Sequence, residues 1–256
     1  MSKFYVVATP IGNLGDITFR AIETLKSVDL ILCEDTRVTK KLLDKYGINK
    51  PTMSYPSDDI VGKNYRQSKF ALSPKLNKIF ELLEGGKNLA LVSDAGTPGI
   101  SDPGAMLVSR IKEEFNPTLR PPLTGEGWRE VEMQVIPIPG PSAVVVALSA
   151  SGLPTHEFTF LGFLPHKKGR ETLFKEIAVS ERTMVFYESP HRILKTLESL
   201  VKFCPDKKVC VARELTKIYE EFKTGTPAEI LEYFQAKAGY PRAENKVRGE
   251  FTIIVS

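Results

Sequence analysis

The stretch Leu89-Ala90-Leu91-Val92-Ser93-Asp94-Ala95-Gly96-Thr97-Pro98-Gly99-Ile100-Ser101-Asp102-Pro103-Gly104 decides the fold. Its first four residues form an uninterrupted apolar run, the pattern of a strand buried on both faces of a parallel sheet. The twelve that follow hold three glycines, two prolines and two carboxylates. That is more turn than a plain strand-to-helix crossover needs. A bare, sharply bent backbone at the carboxyl edge of a parallel sheet is where open α/β folds bind ligands.

Working outward, strand and helix signals alternate. Phe4–Ala8 reads as a buried strand, followed by the turn Thr9-Pro10-Ile11-Gly12-Asn13-Leu14-Gly15-Asp16 and a helix over 18–27. Further strands are expected at 29–33, 52–55, 89–92 and 134–137, with helices at 37–46, 73–84 and 104–114 between them. This order predicts a five-stranded parallel sheet with crossover helices. The segment Asn116–Glu132, rich in Pro, Gly and charge, reads as an exposed excursion before the fifth strand. After Ile138-Pro139-Gly140-Pro141 comes a small-residue helix at 142–150, then a second α/β unit with strands at 158–160, 184–187, 208–213, 221–225 and 251–255. The fold class is therefore α/β, with an N-terminal domain over 1–138 and a C-terminal domain with a mixed sheet over 139–256.

Composition narrows the function classes. The 256 residues are 42% hydrophobic, enough for one large core or two smaller ones. With 35 Lys and Arg against 31 Asp and Glu, the net charge of +4 permits a polyanionic partner without demonstrating one. Cys33, Cys204 and Cys210 are odd in number and lack C-x-x-C spacing, which disfavours a disulfide framework or zinc site and fits a reducing compartment. With no apolar run of membrane-spanning length, the expectation is a soluble cytoplasmic protein without metal or membrane contact.

Two nucleotide fingerprints fail. The first turn has Gly12 and Gly15 but no G-x-G-x-x-G. Gly99 and Gly104 stand at P-loop spacing, but Ala105-Met106 replaces Lys-Ser/Thr, so no cation is supplied to a β/γ-phosphate. The turns leaving the first and fourth strands, with Pro139-Gly140-Pro141-Ser142-Ala143, can instead line one crevice for a small organic ligand; taken singly, each is an ordinary βα connection.

These residues resemble the tetrapyrrole-methylase-like, class III S-adenosylmethionine-dependent methyltransferases, and within them the members that methylate a cytidine 2′-hydroxyl in small-subunit ribosomal RNA. The resemblance spans nearly the whole chain. It is carried by 8–16, Cys33-Glu34-Asp35-Thr36-Arg37, 93–104, 137–143, Phe163-Leu164-Pro165, Phe186-Tyr187-Glu188-Ser189-Pro190-His191-Arg192 and Ala212-Arg213-Glu214-Leu215-Thr216-Lys217. The chain departs from the family pattern at 56–64, where a His-Asn-Glu segment is missing, and in the longer stretch 116–132. The resemblance implies two α/β domains with the methyl donor in the cleft between them, and a homodimer. Donor contacts carried onto matching positions are Ile11, Asp94, Ala95, Gly96, Thr97, Pro98, Ile100, Ser142, Ala143, Glu188 and Leu215. Backbone groups should dominate there, because adenine, ribose and a zwitterionic tail are satisfied by exposed N–H and C=O.

Methyl transfer from a sulfonium is an in-line displacement, so a protein aligns the partners and handles the acceptor's proton. A ribose hydroxyl needs a nearby base, or a cation that favours the alkoxide. The catalytic candidates are Glu188, His191, Asp35 and Lys217; Arg37, His191, Arg213, Lys167 and Lys168 are the candidates for gripping RNA. Blander roles compete. Asp35-Thr36 can cap the helix that follows, Ser189-Pro190-His191-Arg192 reads as a cap with Pro at the first helical position, and Arg213, Glu214 and Lys217 can pair among themselves. Arg37 in a first helical turn opposes the helix dipole, which points to a separate partner. Two alternative functions stand beside the leading one: a tetrapyrrole or other small-molecule methyltransferase of this fold, and a non-catalytic ribosome-associated RNA-binding module.

Overall fold

A computed structural model describes residues 1–55, 73–115, 133–238 and 247–256. The segments 56–64 and 116–132, where the chain departs from the family pattern, lie outside the described residues. The chain divides into two compact units, Met1–Pro141 and Ser142–Ser256.

In the first unit, β1 (Ser2–Val7), α1 (Phe19–Ser27), β2 (Leu30–Cys33), α2 (Thr36–Lys45), β3 (Thr52–Ser54), α3 (Pro74–Glu84), β4 (Leu89–Val92), α4 (Gly104–Glu114) and β5 (Met133–Ile138) follow in order. The sheet runs β3-β2-β4-β1-β5. Every pairing is parallel, as the sequence predicts for five strands with crossover helices. Period-two alternation sends successive side chains to opposite faces. Ile31, Cys33, Ala90 and Val92 pack with Ala21 and Leu25 of α1 and Leu42 and Leu43 of α2. Leu32, Leu89 and Leu91 pack on the other face with Leu76, Ile79 and Leu83 of α3 and Leu107 and Ile111 of α4. Burial on both faces is why β4 reads as pure Leu-Ala-Leu-Val; each leucine so buried contributes about 1.5–3 kcal/mol. Val7 pairs with both Val92 and Ile138, so β1, β4 and β5 end level with one another.

The second unit holds α5 (Ala143–Ser151), β6 (Phe158–Phe163), α6 (Arg170–Val179), β7 (Thr183–Glu188), α7 (Ile193–Phe203), β8 (Val209–Arg213), β9 (Glu221–Gly225), α8 (Pro227–Ala238) and β10 (Phe251–Val255). Its sheet is mixed, in the order β6-β7-β10-β8-β9, with only β6 and β7 parallel. Met184, Phe186, Val209, Val211, Ile253 and Val255 form one core with Phe174 and Ile177 of α6, Leu197 and Leu200 of α7 and Phe234 of α8. The interleaved Val185, Cys210, Ala212 and Ile254 are equally buried on the opposite face. There α5 lies beside β10, β8 and β9.

Two local expectations shift. β6 continues to Phe163 rather than stopping at Phe160, across a register change that the left-handed Gly162 (φ +64°) accommodates. The helix expected from Pro190 begins at Ile193, because Ser189–Arg192 closes a turn first, with Arg192 N–H donating to Ser189 C=O at 3.0 Å.

Candidate functional site

Three chain segments leave the level ends of β1, β4 and β5 and bind one another. Thr9 N–H donates to Gly96 C=O at 2.8 Å, and Gly96 N–H returns a bond to Thr9 C=O at 3.1 Å. The Thr9 hydroxyl donates to Ser93 C=O at 3.0 Å, and the Thr97 hydroxyl to Pro141 C=O at 3.1 Å. Gly96 is left-handed at φ +87°, and a Cβ there would lie 3.3 Å from Ile11 Cγ2. The far side of the β4 turn is held by Asp102, whose carboxylate accepts from Gly99 N–H at 2.8 Å and Gly104 N–H at 2.7 Å. Ser101 between them is left-handed too (φ +66°), a conformation costly for a residue with a Cβ.

The end of β2 joins the same edge. Asp94 N–H donates to Glu34 Oε1 at 3.3 Å, and Asp94 Oδ1 accepts from Asp35 N–H at 3.1 Å. Burial pushes the Glu34 carboxyl up, and the charges of Asp102 and Asp94 add to that push. Burial, then the charge of Glu34, likewise raises the Tyr55 phenol. Asp35 is the N-cap of α2, accepting from Arg37 N–H at 2.8 Å, with Thr36 the first helical residue. The Arg37 guanidinium folds back onto the same carboxylate, which answers the dipole mismatch seen in the sequence. Its hydrogen bonds hold Asp35 down at about 2.

The predicted donor residues of this unit, Ile11, Asp94, Ala95, Gly96, Thr97, Pro98 and Ile100, thus fall on one connected turn system. Thr9, Ser93 and Asp102 lie in the turns the sequence points to but are not among its expected donor contacts. The only signal for Asp102 was an Asp two residues ahead of a helix-opening glycine, a capping arrangement.

In the second unit, Ser142 is the N-cap of α5 and Ala143 its first residue. Glu188 ends β7 with its side chain fully buried and both oxygens engaged: Oε1 by Arg192 Nε at 2.7 Å and Ser189 N–H at 2.8 Å, Oε2 by the Thr196 hydroxyl at 2.6 Å and Arg170 Nη2 at 3.5 Å. That saturation differs from what a proton acceptor needs. His191 stands exposed in the turn after β7 and has no hydrogen-bond or ion-pair partner among the described residues. The loop after β8 carries left-handed Glu214 (φ +52°) and Thr216 (φ +65°) around the buried Leu215. Lys217 Nζ lies 3.0 Å from Glu214 and 2.9 Å from Glu250. Desolvation works against its charge, but the hydrogen bonds to Glu250 and Glu214 prevail and hold the ammonium protonated. Arg213 is committed to Glu221 at 3.1 Å and Arg248 C=O at 2.6 Å. Lys167 and Lys168 are exposed on the stretch between β6 and α6.

The chain matches, over residues 3–231, the family described as Tetrapyrrole (Corrin/Porphyrin) Methylases. It belongs to that family. This tetrapyrrole methylase is 42% identical, over 257 aligned residues, to the protein named ribosomal RNA small subunit methyltransferase I in Thermotoga maritima, covering 100% of this chain and 99% of that one. It is 40% identical to the protein of the same name in Bacillus subtilis, covering all of this chain and 75% of the relative. Among solved structures, that of diphthine synthase superposes with a TM-score of 0.64 at 11% identity, covering 100% of this chain and 90% of that one, a likeness of fold alone.

A methyltransferase family implies S-adenosylmethionine as the methyl donor, and the turn system fits such a compound. Ala95 is exposed, and among the described residues its N–H and C=O make no hydrogen bond, so both can serve a ligand. A side chain at Gly96 would crowd Ile11, its Cβ 3.3 Å from Ile11 Cγ2. Among the described residues there is no cluster of three or more metal-ligating side chains, and no helix long and apolar enough to cross a membrane.

Proposed function

We propose that this methylase transfers a methyl group from S-adenosylmethionine to the ribose 2′-hydroxyl of a cytidine in small-subunit ribosomal RNA, in the cytoplasm and as a homodimer. The observation that carries the reading is end-to-end identity of 42% with a relative named for methylating small-subunit ribosomal RNA. The cytidine, the 2′-oxygen and the dimer rest on the family resemblance that spans nearly the whole chain.

The donor supplies an activated methyl. What the chain contributes is alignment and the handling of one proton. In this reading Ile11 and 94–100 hold the donor through backbone groups, with Ser142, Ala143 and Leu215 as further contacts. Of the four catalytic candidates, Asp35 is held too low to accept a proton well, Glu188 is saturated and Lys217 is kept protonated. His191 stands exposed with its imidazole unengaged among the described residues, and an imidazole can serve as a general base. His191 is therefore assigned the proton, and Lys217 and Arg213 the electrostatic support of the RNA.

Incubating labelled donor with small subunits, naked ribosomal RNA and precorrin-type substrates tests the reading, with nucleoside mass spectrometry of the product. Label recovered as 2′-O-methylcytidine supports it. Label on the tetrapyrrole alone reverses it in favour of a small-molecule methylase, and failure to bind the donor or its demethylated product in calorimetry favours a non-catalytic module.

A further inference from the structure

A fully buried, ionised carboxylate is costly unless donors saturate it. At Glu188 the saturating donors have a second task. Arg192, which holds Oε1, also donates through Nη1 to Leu164 C=O at 2.9 Å. Arg170, which reaches Oε2 directly and through the Thr196 hydroxyl, donates through its own Nη1 to Pro165 C=O at 3.1 Å. Two successive carbonyls of the segment joining β6 to α6 thus hang from one buried carboxylate. The residues beyond them, His166, Lys167 and Lys168, are exposed, and among the described residues neither lysine has an ion-pair partner. Phe163, 55% exposed at the head of the segment, offers a ring on which a base can stack.

We infer that Glu188 is a positioning residue for RNA: through Arg170 and Arg192 it fixes the backbone that presents Lys167 and Lys168 to substrate phosphates. A loop ordered during folding does not have to be ordered again on binding, so its lysines meet the RNA backbone at lower entropic cost. The nature of the polyanion rests on the ribosomal RNA reading above; the suspension of the loop from Glu188 does not.

The test uses the full chain, with RNA binding measured at several salt concentrations and methylation of small subunits measured alongside. Replacing the exposed pair together, Lys167→Ala with Lys168→Ala, leaves the buried cluster intact. It should raise KM for RNA about tenfold with little change in kcat, and flatten the slope of log affinity against log salt by about 1.4, for two single-strand phosphate contacts. Glu188→Gln keeps the shape and removes the charge; it should reproduce both effects at unchanged donor affinity, and add little when combined with the lysine pair. Glu188→Asp should restore part of the loss. A collapse of kcat at unchanged KM and salt slope would make Glu188 a proton acceptor, and loss of donor binding would make it a donor ligand; either overturns the inference, as do additive effects with the lysine pair. Should Glu188→Gln fail to fold, the lysine pair decides alone, since an unchanged KM and slope there leaves the loop with no RNA to present. If the wild-type chain binds single-stranded RNA but methylates none, the ribosomal RNA reading fails while the loop is still tested by binding.

Discussion

Thr9 and Gly96, 87 residues apart in the chain, exchange two backbone hydrogen bonds of 2.8 and 3.1 Å. This bridge ties the turn after β1 to the turn after β4, where Ile11 Cγ2 lies 3.3 Å from the position a Gly96 Cβ would take. Both turns leave strands that end level, so a small change at either residue moves the lining of the proposed donor site without disturbing the sheet beneath it.

Gly96→Val should therefore abolish donor binding while the protein still folds. The new Cβ starts 3.3 Å from Ile11 Cγ2, and a β-branched residue at φ +87° loses about 1–2 kcal/mol of stability. Calorimetric titration with S-adenosylmethionine checks the first point and circular dichroism the second. Undiminished affinity would detach this turn from the donor.

Gly140→Ala tests the contact between the ends of β1 and β5. A Cβ at Gly140 would stand 2.9 Å from Ala8 Cβ and 3.4 Å from its carbonyl oxygen, closer than packed side chains tolerate. The expected cost is about 1–3 kcal/mol, read as a lowered Tm in scanning calorimetry.

His191→Asn should lower kcat by about 10²–10⁴-fold, the usual contribution of a positioned acid or base, at unchanged donor affinity. Because the imidazole is exposed and touches no structural partner, Tm should not move. Single-turnover methylation of small subunits is the measurement; an unchanged rate removes His191 from the reaction.

Asp35 gives a pH dependence with a defined sign. Hydrogen bonds from the Arg37 guanidinium bring its carboxyl from the ordinary 3.8 down to about 2 in the folded chain. The ionised cap favours the native state above about pH 4, and that advantage fades as pH falls from there through about 2. Denaturant unfolding of Asp35→Asn should show a weaker acid dependence across this window. Added salt should shrink the difference, since the pair faces water.

The strands were legible because burial on one or both faces writes itself into local periodicity. Glu221–Gly225 and Phe251–Val255 have the same bounds in sequence and structure, as does the helix Gly104–Glu114. The parallel pairing of the first sheet followed from strand and helix alternation, and the turn at 93–104 followed from its glycines and prolines. The start of α7 was misread, because Ser-Pro-x-x suits both a helix entry and a tight turn. The choice went to the turn where Glu188 accepts Ser189 N–H and draws Arg192 back on itself. Asp35 and Arg37 were seen as candidates, but their pairing with each other was not, since nothing in a Thr-Arg dipeptide says which way a guanidinium folds.

The sequence by itself determined that this chain is an α/β protein with a glycine- and proline-rich turn after its fourth strand, and its motifs carry the likeness to the tetrapyrrole methylases. The strands and the turn depend on hydrophobic period and backbone freedom, which act over a few neighbouring residues. Only the tertiary structure decided that Thr9 and Gly96 share a bridge, and that Glu188 anchors a basic loop through Arg170, 18 residues away, and Arg192. A carboxylate has the same chemistry wherever it stands in a sequence. Its role is set by the donors that folding brings to it, and those come from contacts that no local pattern records.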